Sequence, residues 1–367
     1  MHKISNTDDV NKNRWLYMAK SDKKIFTAIM YIISLAALLE YILIFELLPG
    51  LVYGFIFLNY EFFSPSFLYS LSPDDFSYIM HIIENIASIT ISLSATFVTA
   101  LFLVLCLKKF AVNHSIYSYP KENISFKFKL PEKTPFLLIS GICIVQLSLF
   151  VYLFFNFILY YFFGITTKPL PAEAHYMPSN IFGIILYFIT TAVIPAFTEE
   201  FIYRFLMLNA LKKYGNAFAI IITSVIFGLA HARVNAFIFA TAIGLLSAYI
   251  AIKTKSIWFS IILHVIINAN SLVFQYIANL PLSDETYNII YFSFLSVISA
   301  VSLIYLLMLI IKRKRLKLNI PENYTYIEKK RKLLFFFNAA ALIFIVFVIY
   351  KSTGDYSFYQ VISNNYV

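Results

Sequence analysis

Long apolar runs separated by short polar loops dominate the chain. Nine runs stand out, at 25–48, 86–107, 136–163, 181–207, 217–231, 234–252, 257–276, 287–311 and 333–350. A helix of about 20 apolar residues crosses the roughly 30 Å hydrocarbon layer of a bilayer. The pattern therefore predicts an all-α, polytopic membrane bundle with nine spans, the fifth short and the third long. The outer stretch 49–81 has no Lys or Arg and many aromatics, which suggests a short amphipathic element along the interface. No transporter-like repeat, low-complexity linker or separate soluble domain is visible. The expected organisation is a cytoplasmic segment 1–24, helices and loops over 25–180, a chemically distinctive core over 181–280, and further helices over 281–367.

Composition narrows the class. Hydrophobic residues make up 60% and charged residues 13%, against about 25% charged in soluble domains, and the mean hydropathy is +0.77. A soluble enzyme, a disordered chain and a secreted disulfide scaffold are excluded. Cys106 and Cys143 lie in apolar runs and read as packing thiols. The net charge of +10 would suit nucleic acid, but its placement does not. With the N-terminus in the cytoplasm, 26 of the 29 Lys and Arg fall inside, and only Lys168, Arg233 and Lys351 fall outside. That split fits nine spans with the N-terminus in and the C-terminus out. No cleaved leader is expected, since the run after Lys24 is too long and lacks a small-residue cleavage site. The basic loop 108–135 is expected to rest on phospholipid.

Ionisable groups within spans are costly and are functional candidates by default. Three clusters qualify: Glu199-Glu200 with Arg204, Phe227 with His231, and His264 with Asn268. Glu200 and Arg204 share a helix face at i, i+4 and can pair. Glu199 lies about 100° round the helix with only Tyr203 at i+4, so it is the free carboxylate and the candidate general base. His264 and Asn268 share a face and can both donate into one cleft. Each cluster alone has a plainer explanation: a buried ion pair, an interfacial histidine, polar glue between helices. Two histidines and a glutamate also suit zinc, but three helices supply them and spacing does not decide. Glu40, Glu46 and Glu84 look isolated near span ends, and His175 lies in a loop; none is given a role.

The ordered set on separate spans resembles the CPBP family, the type II CAAX prenyl endopeptidases and the Abi bacteriocin-processing or immunity proteins. The resemblance covers about 181–280 and all three motifs match. It implies an intramembrane endopeptidase in which Glu199 and His231 activate water and His264 and Asn268 stabilise the oxyanion. Glu200 with Arg204 supports the site, as does Phe227. One zinc held by Glu199, His231 and His264 and a metal-free mechanism are equally open. The implied partners are a peptide or protein substrate, lipid-modified in the best-known cases, and membrane lipids, with no nucleic acid. A non-enzymatic bacteriocin immunity or scaffold protein is the alternative. The Ile-, Phe-, Lys- and Asn-rich composition suggests a bacterial cell membrane. His231 looks too far along its span to meet the other groups, so the fourth and fifth helices are expected to project or tilt, with a cleft open to the cytoplasm.

Overall fold

The computed structural model describes residues 20–58, 72–112, 124–128, 134–163, 177–178, 180–231, 234–280, 282–311 and 338–353. Nearly all are helical. With no water in hydrocarbon, backbone N–H and C=O groups must be satisfied within the chain, and helices do this locally. Helix α1 runs Lys20–Ile42, passes through a π turn Leu43–Leu47 and continues over Leu48–Leu58. Then follow α2 Pro73–Val112, α3 Thr134–Phe163 and α4, which starts at Ile181 and ends at Leu211. The last five are α5 Asn216–Ala230, α6 Val234–Thr254, α7 Trp258–Ala278, α8 Asp284–Ile311 and α9 Ala339–Thr353.

The described part of each of the nine apolar runs falls on one helix, while 333–337 of the last run lie outside the described residues. Among the described residues, six helices are long and apolar enough to cross a membrane, on α1, α2, α4, α6, α7 and α8. The apolar parts of α3, α5 and α9 are shorter, at Pro135–Val151, Asn216–Ala230 and Ala339–Ile349. Many large apolar side chains lie on the outside, among them Phe97, Val297 and Val346. So much exposed apolar surface is suited to lipid rather than water. The chain is a multi-pass membrane bundle.

Polar caps set several helix starts. Ser72 Oγ accepts from Asp75 N at 3.2 Å just before Pro73, and Asn180 Oδ1 accepts from Gly183 N at 2.8 Å. Ser283 and Asn338 do the same for α8 and α9. Each satisfies an N–H that the first turn leaves open. Of the stretch 49–81, expected to hold a short interfacial element, residues to Leu58 continue α1 and those from Pro73 belong to α2; 59–71 lie outside the described residues.

The short helix α5 forms the centre of the bundle, with Phe218, Ile222, Ile226 and Phe227 all buried. It packs most extensively on α6, while α3 joins α6 to α8 and α1 joins α2 to α9. Small residues allow the α5–α6 approach. A Cβ at Gly228 would meet Thr241 Oγ1 and stand 2.9 Å from the Phe237 carbonyl oxygen, and one at Gly244 would stand 3.0 Å from Ser224 Cα. Helix packing in lipid relies on such close contact, because burial from water drives little of it.

The basic loop after α2 is more than a lipid contact. Its described part, 124–128, is bolted to the helix ends. Ser125 N donates to Lys255 O at 3.2 Å and Ile257 N to Ser125 O at 3.1 Å. Asn209 bonds both backbone groups of Ile124, and Trp258 Nε1 donates to Phe126 O at 2.7 Å. Phe126 then packs on Phe201 and Phe205 of α4.

Gly228→Ala forces α6 away from α5 next to Phe227. Overpacking of this kind costs about 1–3 kcal/mol, so thermal unfolding in detergent should show a lowered midpoint, while Gly50→Ala, with nothing within 4 Å of the added Cβ, should not.

Candidate active site

Helix α4 is built irregularly where the glutamates sit. Pro195 cannot donate a backbone hydrogen bond, and a π turn, Ile189–Val193, precedes it. Interior prolines and π turns are recognised causes of local helix adjustment. Thr190, Thr191 and Thr198 return their hydroxyls to main-chain carbonyls one turn back, a further source of bending. A regular stretch Ile194–Glu200 follows, then a second π turn, Phe201–Met207. The two glutamates therefore end a short α segment held between two π turns, a feature frequent at functional sites.

Glu200 has no accessible surface, and each of its oxygens faces a nitrogen. Oε2 lies 3.2 Å from Arg204 Nε, and Oε1 accepts from His264 Nδ1 at 3.1 Å. Arg204 is also fully buried, its guanidinium 4.8 Å from the centre of the Phe227 ring. The ring offers its negative face to the cation. The Arg204 contact is a charge pair rather than a well-angled hydrogen bond, since Nε and both terminal nitrogens lack a partner at hydrogen-bonding geometry.

Glu199 differs from its neighbour. Its side chain is 27% accessible, and its Oε2 stands 3.7 Å from His264 Nε2. His264 thus lies between the two glutamates, one on each ring nitrogen. The sequence reading paired Glu200 with Arg204, which the geometry bears out, but left Glu199 unpaired and did not foresee the Glu200–His264 bond.

His231 ends α5 as its C-cap. Its Nδ1 donates to Phe227 O at 2.9 Å, which leaves Nε2 of a neutral ring as an acceptor. The Phe227 ring touches His231 at 4.9 Å, His264 at 5.7 Å and Tyr203 at 5.3 Å between centroids. This one side chain therefore touches both histidines, Tyr203 and Arg204. Asn268 is one turn beyond His264 on α7, its amide 3.5 Å from the Ala192 carbonyl in the first π turn.

Two further residues belong to this neighbourhood. Tyr203 is buried beside Phe227, and Glu40 of α1 is buried with neither carboxyl oxygen at hydrogen-bonding geometry to a partner. Glu40 does not lie at a span end, since its span runs Lys24–Gly54. The cost of an ionisable group in mid-span was the signal that could have found it. Among the described residues, no three His, Cys, Asp or Glu side chains form a group able to hold a metal ion. Glu199, His231 and His264, the set left open for zinc, do not form such a group.

Residues 181–270 match the family of "Type II CAAX prenyl endopeptidase Rce1-like" proteins. The resemblance drawn from the three motifs therefore holds for the segment that carries them, about a quarter of the chain. Among curated proteins, the chain is similar to the "Putative membrane peptidase YdiL" of Bacillus subtilis (strain 168), 32% identical over 117 residues. That stretch is 32% of this chain and 47% of the relative, so the chain spans about half the length of the relative it matches. No solved structure matches the chain.

Glu200→Gln should leave Arg204 buried without a counter-charge and cost about 3–5 kcal/mol. Joint replacement by Glu200→Leu and Arg204→Met should recover much of that stability in urea or thermal unfolding, without restoring the bond that orients His264. A double variant no more stable than Glu200→Gln alone would count against a buried ion pair.

Proposed function

We propose that this chain is an intramembrane endopeptidase that hydrolyses a peptide bond with water activated by Glu199. The observation that carries the reading is the difference between the adjacent glutamates: Glu200 is sealed against Arg204 and His264, while Glu199 is accessible and faces the other nitrogen of the same imidazole. With His264 doubly protonated, two carboxylates face two cations, and the cluster is neutral as a whole. Neutrality is what a low-dielectric site requires of buried charges.

In the proposed reaction, Glu199 takes a proton from water and the hydroxide attacks the peptide carbonyl carbon. As Glu199 becomes neutral, its hold on His264 Nε2–H weakens. That N–H can then donate to the oxyanion of the tetrahedral intermediate, together with the Asn268 amide. Fixed donors of this kind are worth several kcal/mol because they need no reorganisation when the charge appears. The C–N bond then breaks, and the departing nitrogen takes the proton from Glu199. His231, with Nε2 free, serves as the second proton-handling group. Phe227 and the Glu200–Arg204 pair hold the histidines in place.

Residues 181–280 form the catalytic core in this reading. The substrate is a peptide or protein presented near the cytoplasmic membrane face, with CAAX-like processing of a lipid-modified C-terminus as its nearest chemistry. The charge split along the sequence supports an orientation with the N-terminus inside and the C-terminus outside, and the Ile-, Phe-, Lys- and Asn-rich composition supports a bacterial cell membrane.

The test is purified protein in lipid nanodiscs with internally quenched peptides, some ending in a prenylated Cys-aliphatic-aliphatic-X sequence and some unmodified. General-base catalysis typically contributes about 10²–10⁴-fold. Glu199→Gln keeps shape but cannot accept the proton, so cleavage should fall by that factor while the melting temperature stays near wild type. Full activity in this variant would reject the mechanism.

A further inference from the structure

Helices α3, α5 and α6 enclose a cavity of about 340 Å³ that shares no residue with the site around Glu199. Its walls include Leu137 and Ile144 of α3, Ile220 of α5, and Ala242, Leu245 and Tyr249 of α6. The volume suits a small ligand or part of a larger one, since ligand pockets span about 300–1,000 Å³. Leu245 is 39% exposed, so the cavity opens on the apolar outer surface of the bundle. Leu137 and Ile220 stand near the starts of α3 and α5, and Tyr249 near the end of α6. The strap 124–128 is bonded just beyond that end of α6, at Lys255 and Ile257. The cavity therefore begins near the membrane surface on the strap side and runs inward for about 10 Å, the rise of α6 between Tyr249 and Ala242. Lys253 lies one turn beyond Tyr249, its Nζ 5.6 Å from the centre of that ring. Lys255 and Lys127 are exposed beside the Ser125–Ser256 bridge. An apolar cavity thus has cations at its mouth.

The walls are helical, and helices satisfy their own backbone groups. They offer a peptide no hydrogen bonds, so burying one there would leave its N–H and C=O groups unmet. An alkyl chain has no such groups, and the cations beside it call for an anion at the chain's head. We propose that the cavity holds an acyl chain of an anionic glycerophospholipid, with its phosphate beside Lys253. A lysine at this depth keeps its ammonium at headgroup level, and lysines there attract anionic lipids. A zwitterionic lipid brings a second cation next to Lys253 and gains less. The bound lipid bridges α3 and α6 and stabilises the folded bundle by mass action. None of this depends on peptide cleavage.

Native mass spectrometry of the full chain, released from nanodiscs with equal amounts of phosphatidylglycerol and phosphatidylcholine, tests the site. Wild type should retain phosphatidylglycerol in preference to phosphatidylcholine about fivefold, the effect of one lysine at a lipid surface. Lys253→Gln should retain lipid without that preference. Ala242→Leu, which fills the cavity, should retain neither lipid, and Leu245→Trp, which crowds its rim, serves where the first variant does not fold. The melting temperature in detergent should rise with added phosphatidylglycerol in wild type and not in the cavity variants. Unchanged retention in the cavity variants, or an unchanged preference in Lys253→Gln, overturns the proposal. So does loss of the retained lipid on adding the prenylated peptide but not the unmodified one, which would give the cavity to a substrate chain.

Discussion

A carboxylate with no accessible surface holds the centre of this protein. Glu200 faces Arg204 with one oxygen and His264 with the other, and the three come from two helices. Each contact depends on the rest. Arg204 without Glu200 is an unpaired charge in an apolar bundle, and His264 without Glu200 loses the bond that fixes its ring. The second π turn of α4 starts directly after Glu200 and contains Arg204, so local helix geometry and the ion pair support one another. Phe227 closes the arrangement from α5, since its ring meets the guanidinium and both imidazoles.

From that anchor the surrounding architecture follows. Helix α5 can be short because it is enclosed by other helices and its end is occupied by His231. Gly228, next to Phe227, lets α6 approach closely. The strap 124–128 covers the other side of α4 with Phe126 against Phe201 and Phe205. Glu199 and Glu200 are adjacent in sequence, yet one is accessible and the other sealed. Such separation of like groups by environment is how one acid comes to do chemistry while its neighbour holds structure.

Much of this was legible in the sequence. The nine helices among the described residues followed from apolar runs, because hydrocarbon leaves the backbone few alternatives. Glu200 with Arg204 followed from the i, i+4 rule. The approach of Glu199 to His264 was expected from the ordered motifs and the family they resemble, whereas the Glu200–His264 bond was not. His231 looked too far along its span to meet the other groups, and its contact with the site runs through the Phe227 ring, which also touches His264. Glu40 was dismissed because no basic residue stood at helical spacing from it. The π turns were also hidden, since only Pro195 announces one of them.

The central claim is that His264 is held between two glutamates, one on each nitrogen. Nitrogen-15 NMR of histidine-labelled protein reports this most directly, with His264 assigned by substitution. The account predicts that both ring nitrogens carry protons, that Nδ1 responds to Glu200→Gln, and that Nε2 responds to Glu199→Gln. A neutral His264 ring whose two signals ignore both substitutions would contradict it.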